Sequence, residues 1–208
     1  LSSSSAASDV YKRQGHKMSV LGELQPNKVF KYFEEICSIP HGSRNLQQIS
    51  DYLVDFAKAH ELKYRQDEDL NVIIWKDGSK GYEASEPVIL QGHMDMVAVK
   101  EADCDKDMEK EGLDLEINGD YISAKGTSLG GDDGIAVAYT LAVLDDEEMA
   151  HPPIEAIFTV NEEIGMLGAA TIDVSDLKGR LFMNMDSEDE GVFTVCLLYT
   201  SPSPRDTR

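Results

Sequence analysis

The sequence is short of cysteine, of basic residues and of long apolar runs, and each shortage removes a class of function. Its three cysteines, Cys37, Cys104 and Cys196, stand far apart and form no CxxC pair. An odd, scattered set of thiols argues against a disulfide framework and a cysteine-based zinc site, and makes a reducing cytoplasm the expected compartment. Lysine and arginine number 19 against 39 aspartates and glutamates, a formal net charge of -20. Nucleic acid and anionic membrane both reward basic surfaces, so neither is expected as a partner. Divalent cations are compatible with this balance, which is equally that of a well-solvated surface. No apolar run approaches the roughly 20 residues needed to span a bilayer.

What remains is a chain of 208 residues, 41% apolar with mixed charges, long enough for one soluble globular domain with a sizeable core. Its ends differ from its middle. Leu1 to Gln14 is serine-rich, aperiodic and without the apolar centre of a signal peptide, and Leu197 to Arg208 turns abruptly to Ser, Pro and Arg. Both ends resemble translated sequencing-adaptor read-through. The expected organisation is a non-native or disordered tail over 1–17, a native segment over 18–196 beginning at Met18, and a second such tail over 197–208. Neither tail offers an apolar face to bury, so both are expected to pack against nothing.

Within the native segment, two amphipathic patterns predict helices. Pro26 to Ile39 carries Val29, Phe30, Phe33 and Ile36 on one face, and Asn45 to His60 carries Leu46, Ile49, Leu53, Phe56 and Ala57. His41–Arg44 between them reads as a loop. Strands are predicted at 71–76, 88–91, 121–124, 154–160 and 181–185 from short β-rich or apolar runs bounded by turn residues. Asp77-Gly78 is a turn signal. An almost wholly apolar helix is predicted from Gly134 to about Asp146, and a short one over 166–172. Strands alternating with helices predict an α/β fold, a three-layer sandwich. The charged stretch from Lys100 to Leu115 starts like a calcium loop at Asp103, Asp105 and Asp107. It fails as one, because Met108 stands where glycine is required and Asp114 where glutamate is. It reads as a solvated excursion.

Reactive side chains gather where strands or their turns end: His93 and Asp95, Asp132 and Asp133, Glu162 and Glu163, and Asp186. In open α/β sheets, ligands bind in the crevice beyond strand ends. Gly126-Thr-Ser-Leu-Gly-Gly-Asp-Asp-Gly134 sets two adjacent carboxylates at the mouth of a helix. Such a turn suits a cation, though an acidic helix cap alone would account for it. One imidazole with several carboxylates is a donor set for Zn²⁺, Mn²⁺ or Co²⁺. In His93-Met94-Asp95 alternate side chains point the same way, so Asp95 could orient a metal-bound His93 through its second ring nitrogen.

Gln91–Val97, Gly126–Gly134, Asn161–Gly165 and Asn184–Glu188 together resemble the di-zinc aminopeptidase/carboxypeptidase/aminoacylase superfamily, most closely its cytosolic aminoacyl-histidine dipeptidase branch. The resemblance covers about 18–196 and implies the N-terminal part of a catalytic domain with a mixed, mostly parallel sheet, here truncated. It implies His93 and Asp186 as ligands of one zinc, Asp132 as the bridge and Glu163 on the second zinc. It further implies Asp95 as the residue orienting His93, Glu162 as general base and a cis Asp132–Asp133 peptide. The reaction would be metal-assisted hydrolysis of a dipeptide, Xaa-His in type, with two Zn (Mn or Co as alternatives) and a homodimer in the full-length protein. The family also uses a histidine far downstream and a lid domain. The last histidine here is His151, so the chain itself is expected to be inactive or nearly so. The alternatives are a related aminotripeptidase or deacylase, and a non-catalytic metal-binding protein on the same fold.

Overall fold

A computed structural model of the chain describes residues 19–187, 191, 192 and 194. Both tails, with Cys196, lie outside the described residues. The two amphipathic patterns form helices α1 (Asn27–Cys37) and α2 (Gln47–Ala59), burying the predicted stripes except that Phe30 is half-buried and Leu46, also buried, stands just before α2. The sheet is assembled from β1 (Lys63–Gln66), β2 (Val72–Lys76), β3 (Val88–His93), β6 (Ile154–Thr159) and β7 (Leu181–Asn184), in the order β1-β2-β6-β3-β7. β3 runs parallel to both β6 and β7, whereas β2 is antiparallel to β1 and β6. Only β2 points against the other four, so the sheet is mixed and mostly parallel.

Helices α1, α2 and the apolar α3 (Gly131–Leu144) share one core with Val72, Ile74, Leu90, Ala156 and Phe158 from the sheet. α3 is apolar on nearly every side because it lies between α1 and the sheet, and only Tyr139 among its large side chains is well exposed. The opposite face of the sheet carries Ile73, Ile89 and Ile157, all buried. The segment after the short helix α4 (Leu167–Thr171) lies against it. There Glu155 accepts hydrogen bonds from the Lys178 and Gly179 amides, and Arg65 pairs with Asp176.

Two strands went unread in the sequence. β1 is polar on both sides and gives no alternation. β4 (Leu115–Asn118) pairs antiparallel with β5 (Tyr121–Ala124) in a separate hairpin, through a two-residue Gly119-Asp120 connection. Gly119 has a φ of 61°, which explains why glycine stands there. The Asp77-Gly78 signal closes no hairpin, since β2 takes its partners from β1 and β6. Cys37 and Cys104 are free thiols, and burial pushes the Cys37 thiol up to about 12. Among the described residues no helix is long and apolar enough to cross a membrane.

Candidate metal centre

Strand register brings the site together. Gln91 of β3 sits opposite Asn184 of β7, and two residues further along each chain come His93 and Asp186. On the other side His93 pairs with Thr159 of β6, so the chain leaving β6 delivers Asn161, Glu162 and Glu163 to the same end. The start of α3 adds Asp132 and Asp133, joined by a cis peptide as the motif resemblance implies. Gly92 permits that approach. A Cβ there would lie 2.9 Å from Asp133 Oδ2 and 3.0 Å from Ala136 Cβ.

His93 is 1% exposed. Its Nε2 lies 3.1 Å from Asp132 Oδ1 and 3.9 Å from Glu162 Oε2. Single ligand atoms from His93, Asp132 and Asp186 fall within 4.8 Å of one another. Glu163 stands outside that trio, although Asp132 is the foremost charge acting on it. On the other side of the ring, Nδ1 is 2.9 Å from the Asp95 carbonyl oxygen and 3.5 Å from the Asp95 carboxylate. The carbonyl is thus the nearer acceptor. The Asp95 carboxylate makes closer contacts elsewhere as well, accepting from Ser43 Oγ at 2.8 Å and from the Glu162 and Glu163 amides at 2.9 and 3.4 Å.

The electrostatics describe negative charge in need of a cation. Burial, reinforced by neighbouring carboxylates, raises Glu162, Glu163 and Asp186 above the ordinary carboxyl range. Burial pushes Asp133 up to about 7. Burial would lower His93, but hydrogen bonds and charges from Asp95, Asp133 and Asp132 win and push it up to about 10. Asp95 goes the other way despite its burial, because His93, the Glu162 amide and Ser43 donate to it. In the metal-free protein the His93 proton is therefore the local counter-charge. The donor set and its crowding fit a divalent cation, which would take over that role.

The sign of the pH dependence follows. Protonated His93 stabilises the fold fully below its ordinary 6.5, and this contribution is lost as pH rises through about 10. Asp133 acts in the same direction, as its buried carboxyl resists ionisation from 3.8 up to about 7. The folded state holds more protons than the unfolded one, so metal-free stability should fall from about pH 6 to about pH 9. Thermal denaturation in chelator checks this. The decline should shrink in His93→Gln and when Zn²⁺ is present at saturation, and a midpoint rising over that interval would contradict the charge assignment.

Sequence reasoning singled out Asp133 without giving it a role, and passed over Ser43. Asp133, 2% exposed, accepts the His93 backbone amide at 3.1 Å. Ser43 sits in a loop that shows no sequence periodicity and is recognisable only by contact.

No family model matches the chain. It is 40% identical over 174 residues to the cytosol non-specific dipeptidase of Escherichia coli, covering 84% of this chain and 36% of that protein. The crystal structure of aminoacylhistidine dipeptidase from Vibrio alginolyticus superposes with a TM-score of 0.80 at 40% identity, covering 82% of this chain and 35% of that one. An aminopeptidase structure from Bacillus cereus, 21% identical with a TM-score of 0.65 over 78% of this chain and 43% of its own, shares the fold. The chain thus spans little more than a third of the dipeptidases it matches.

Proposed function

We propose, for a chain homologous to these dipeptidases along most of its length, that the protein hydrolyses the peptide bond of dipeptides at a two-metal centre. The observation that carries this reading is the convergence of His93, Asp132 and Asp186 within 4.8 Å, with Glu162 Oε2 3.9 Å from His93 Nε2. His93 and Asp186 would hold one cation, Asp132 would bridge and Glu163 would hold the second, with zinc as the expected metal and Mn or Co as alternatives. Two bound cations supply Lewis acidity and bring the pKa of water toward neutrality. The remaining chemistry belongs to the side chains. Glu162 accepts the proton of the attacking water and returns it to the leaving amine, and its raised pKa suits it to both steps. Asp95 fixes the direction of His93 through its backbone carbonyl and carries the Glu162 and Glu163 backbone on its carboxylate.

The name of the Escherichia coli relative, a cytosol non-specific dipeptidase, supports a cytoplasmic location and dipeptides generally, and the name of the Vibrio relative supports Xaa-His pairs among them. A homodimer remains part of this reading for the full-length protein. The test combines zinc stoichiometry with hydrolysis of a dipeptide panel by the full-length protein. Two zinc ions and dipeptide turnover are expected. Turnover of tripeptides or acylated amino acids alone would favour a sister activity, and bound zinc without any hydrolysis would favour a non-catalytic metal protein.

A further inference from the structure

The loop between α1 and α2 reaches the centre, although none of its side chains belongs to the expected ligand set. It runs alongside the chain that leaves β3. The Met96 amide donates to the His41 carbonyl, and the Ser43 amide donates to the Met96 carbonyl, both at 3.2 Å. Gly42 makes the fit feasible, since a Cβ there would lie 2.7 Å from Ala98 Cβ. Held in this way, the loop makes two polar contacts with the site. Ser43 Oγ donates to Asp95 Oδ2 at 2.8 Å, and the Arg44 amide donates to Asn161 Oδ1 at 2.8 Å. Asp95 is 1% exposed, so water has little access to replace a lost donor there. Its Oδ1 takes the Glu162 amide, while Oδ2 is shared by Ser43 and the Glu163 amide. Asn161 has a φ of 54°, an unusual angle for a residue with a side chain, at the point where the chain turns toward the glutamate pair.

We infer that Ser43 and Asn161 are positioning residues: the loop at 41–44 clamps the Asp95 carboxylate and the turn at 161–163, and so sets where the Glu162 and Glu163 carboxylates stand relative to His93. This rests on the metallopeptidase reading above. Each glutamate has its amide on Asp95, and the turn is closed from the other side by the Gly165 and Met166 amides on the Glu162 carbonyl, so freedom in Asp95 loosens the upstream anchor of both. Partners that orient a ligand from behind are typically worth about 10–100-fold in metal affinity.

The experiment has two arms, run on the full-length protein. Zinc affinity by competition with a chromophoric chelator should fall about 10–100-fold in Ser43→Ala and recover in Ser43→Thr, which keeps the hydroxyl. In the metal-free protein, amide hydrogen exchange at Glu162 and Glu163 should lose protection in Ser43→Ala and in Asn161→Ala, while amides of α2 around Leu53 keep theirs. Unchanged zinc affinity with unchanged exchange at 162–163 overturns the clamp. Loss of protection in α2 as well means that Ser43 supports the fold and does not position the site, which overturns it equally. Wild-type protein that binds no zinc would instead sink the metallopeptidase reading, and the exchange arm alone would then decide the clamp.

Discussion

Glu162→Ala in the full-length protein is expected to reduce dipeptide turnover by about 10²–10⁴-fold, the usual worth of a positioned general base, while both metals stay bound. Glu163→Ala should do the reverse, emptying the second metal position because a ligand oxygen is lost. The two carboxylates are neighbours in sequence, yet their surroundings differ. Glu162 reaches to 3.9 Å from His93 Nε2 with its side chain about one-third exposed, next to the cluster and within ion-pairing distance of the protonated ring in the metal-free protein. Burial raises its pKa, followed by opposing influences from His93 and from Asp186. Once a bound cation has displaced the His93 proton, a partly exposed carboxylate so placed can take a proton from water. Burial raises Glu163 as well, and Asp132 is the foremost charge acting on it. The measurement is metal content of both purified variants beside rates at saturating zinc. If Glu162→Ala sheds a metal and Glu163→Ala retains both, the two roles are exchanged. If Glu162→Ala keeps nearly full activity with both metals in place, another group is the base.

Phe158→Ala should destabilise the protein by about 3–5 kcal/mol, the range for removing a buried aromatic ring from a core. Phe158 is fully buried on β6, paired with Val72 of β2 on one side and Gly92 of β3 on the other. It is packed in the core that α1, α2 and α3 share with the sheet, so few neighbours are free to collapse into the space it would leave. Because Gly92 immediately precedes His93, the cavity would open next to the strand that carries the first metal ligand. Urea denaturation in chelator measures the loss, and zinc affinity of whatever remains folded should fall with it. A change below about 1 kcal/mol would mean that the core relaxes around the site, contrary to the close packing seen in protein interiors.

Much of the molecule was legible in one dimension. The stripes of Val29, Phe33 and Ile36 and of Ile49, Leu53 and Phe56 identify α1 and α2, because a helix repeats its buried face every three to four residues. The runs at 88–91 and 154–160 identify the central strands, being apolar enough to lie between two layers. The donors His93, Asp132 and Asp186 could likewise be singled out by type and by their place after strand-like runs. Their meeting could not be read, since it depends on the β3–β7 register and on the close approach of α3 at Gly92, both set by packing between segments tens of residues apart. β1 escaped notice because it has no apolar periodicity and forms only by pairing with β2. Ser43 escaped because a serine in a loop carries no local mark of what it will touch, and Asp133, though singled out, gave no sign that it would take the His93 amide. Sequence by itself determined the helices, the central strands and which chemistry the chain possesses, since these follow from side-chain period and residue type. Only the tertiary structure decided that Asp95 would join the loop at 41–44 to the glutamate pair, because a buried carboxylate takes whichever donors the packed chain brings within hydrogen-bonding distance.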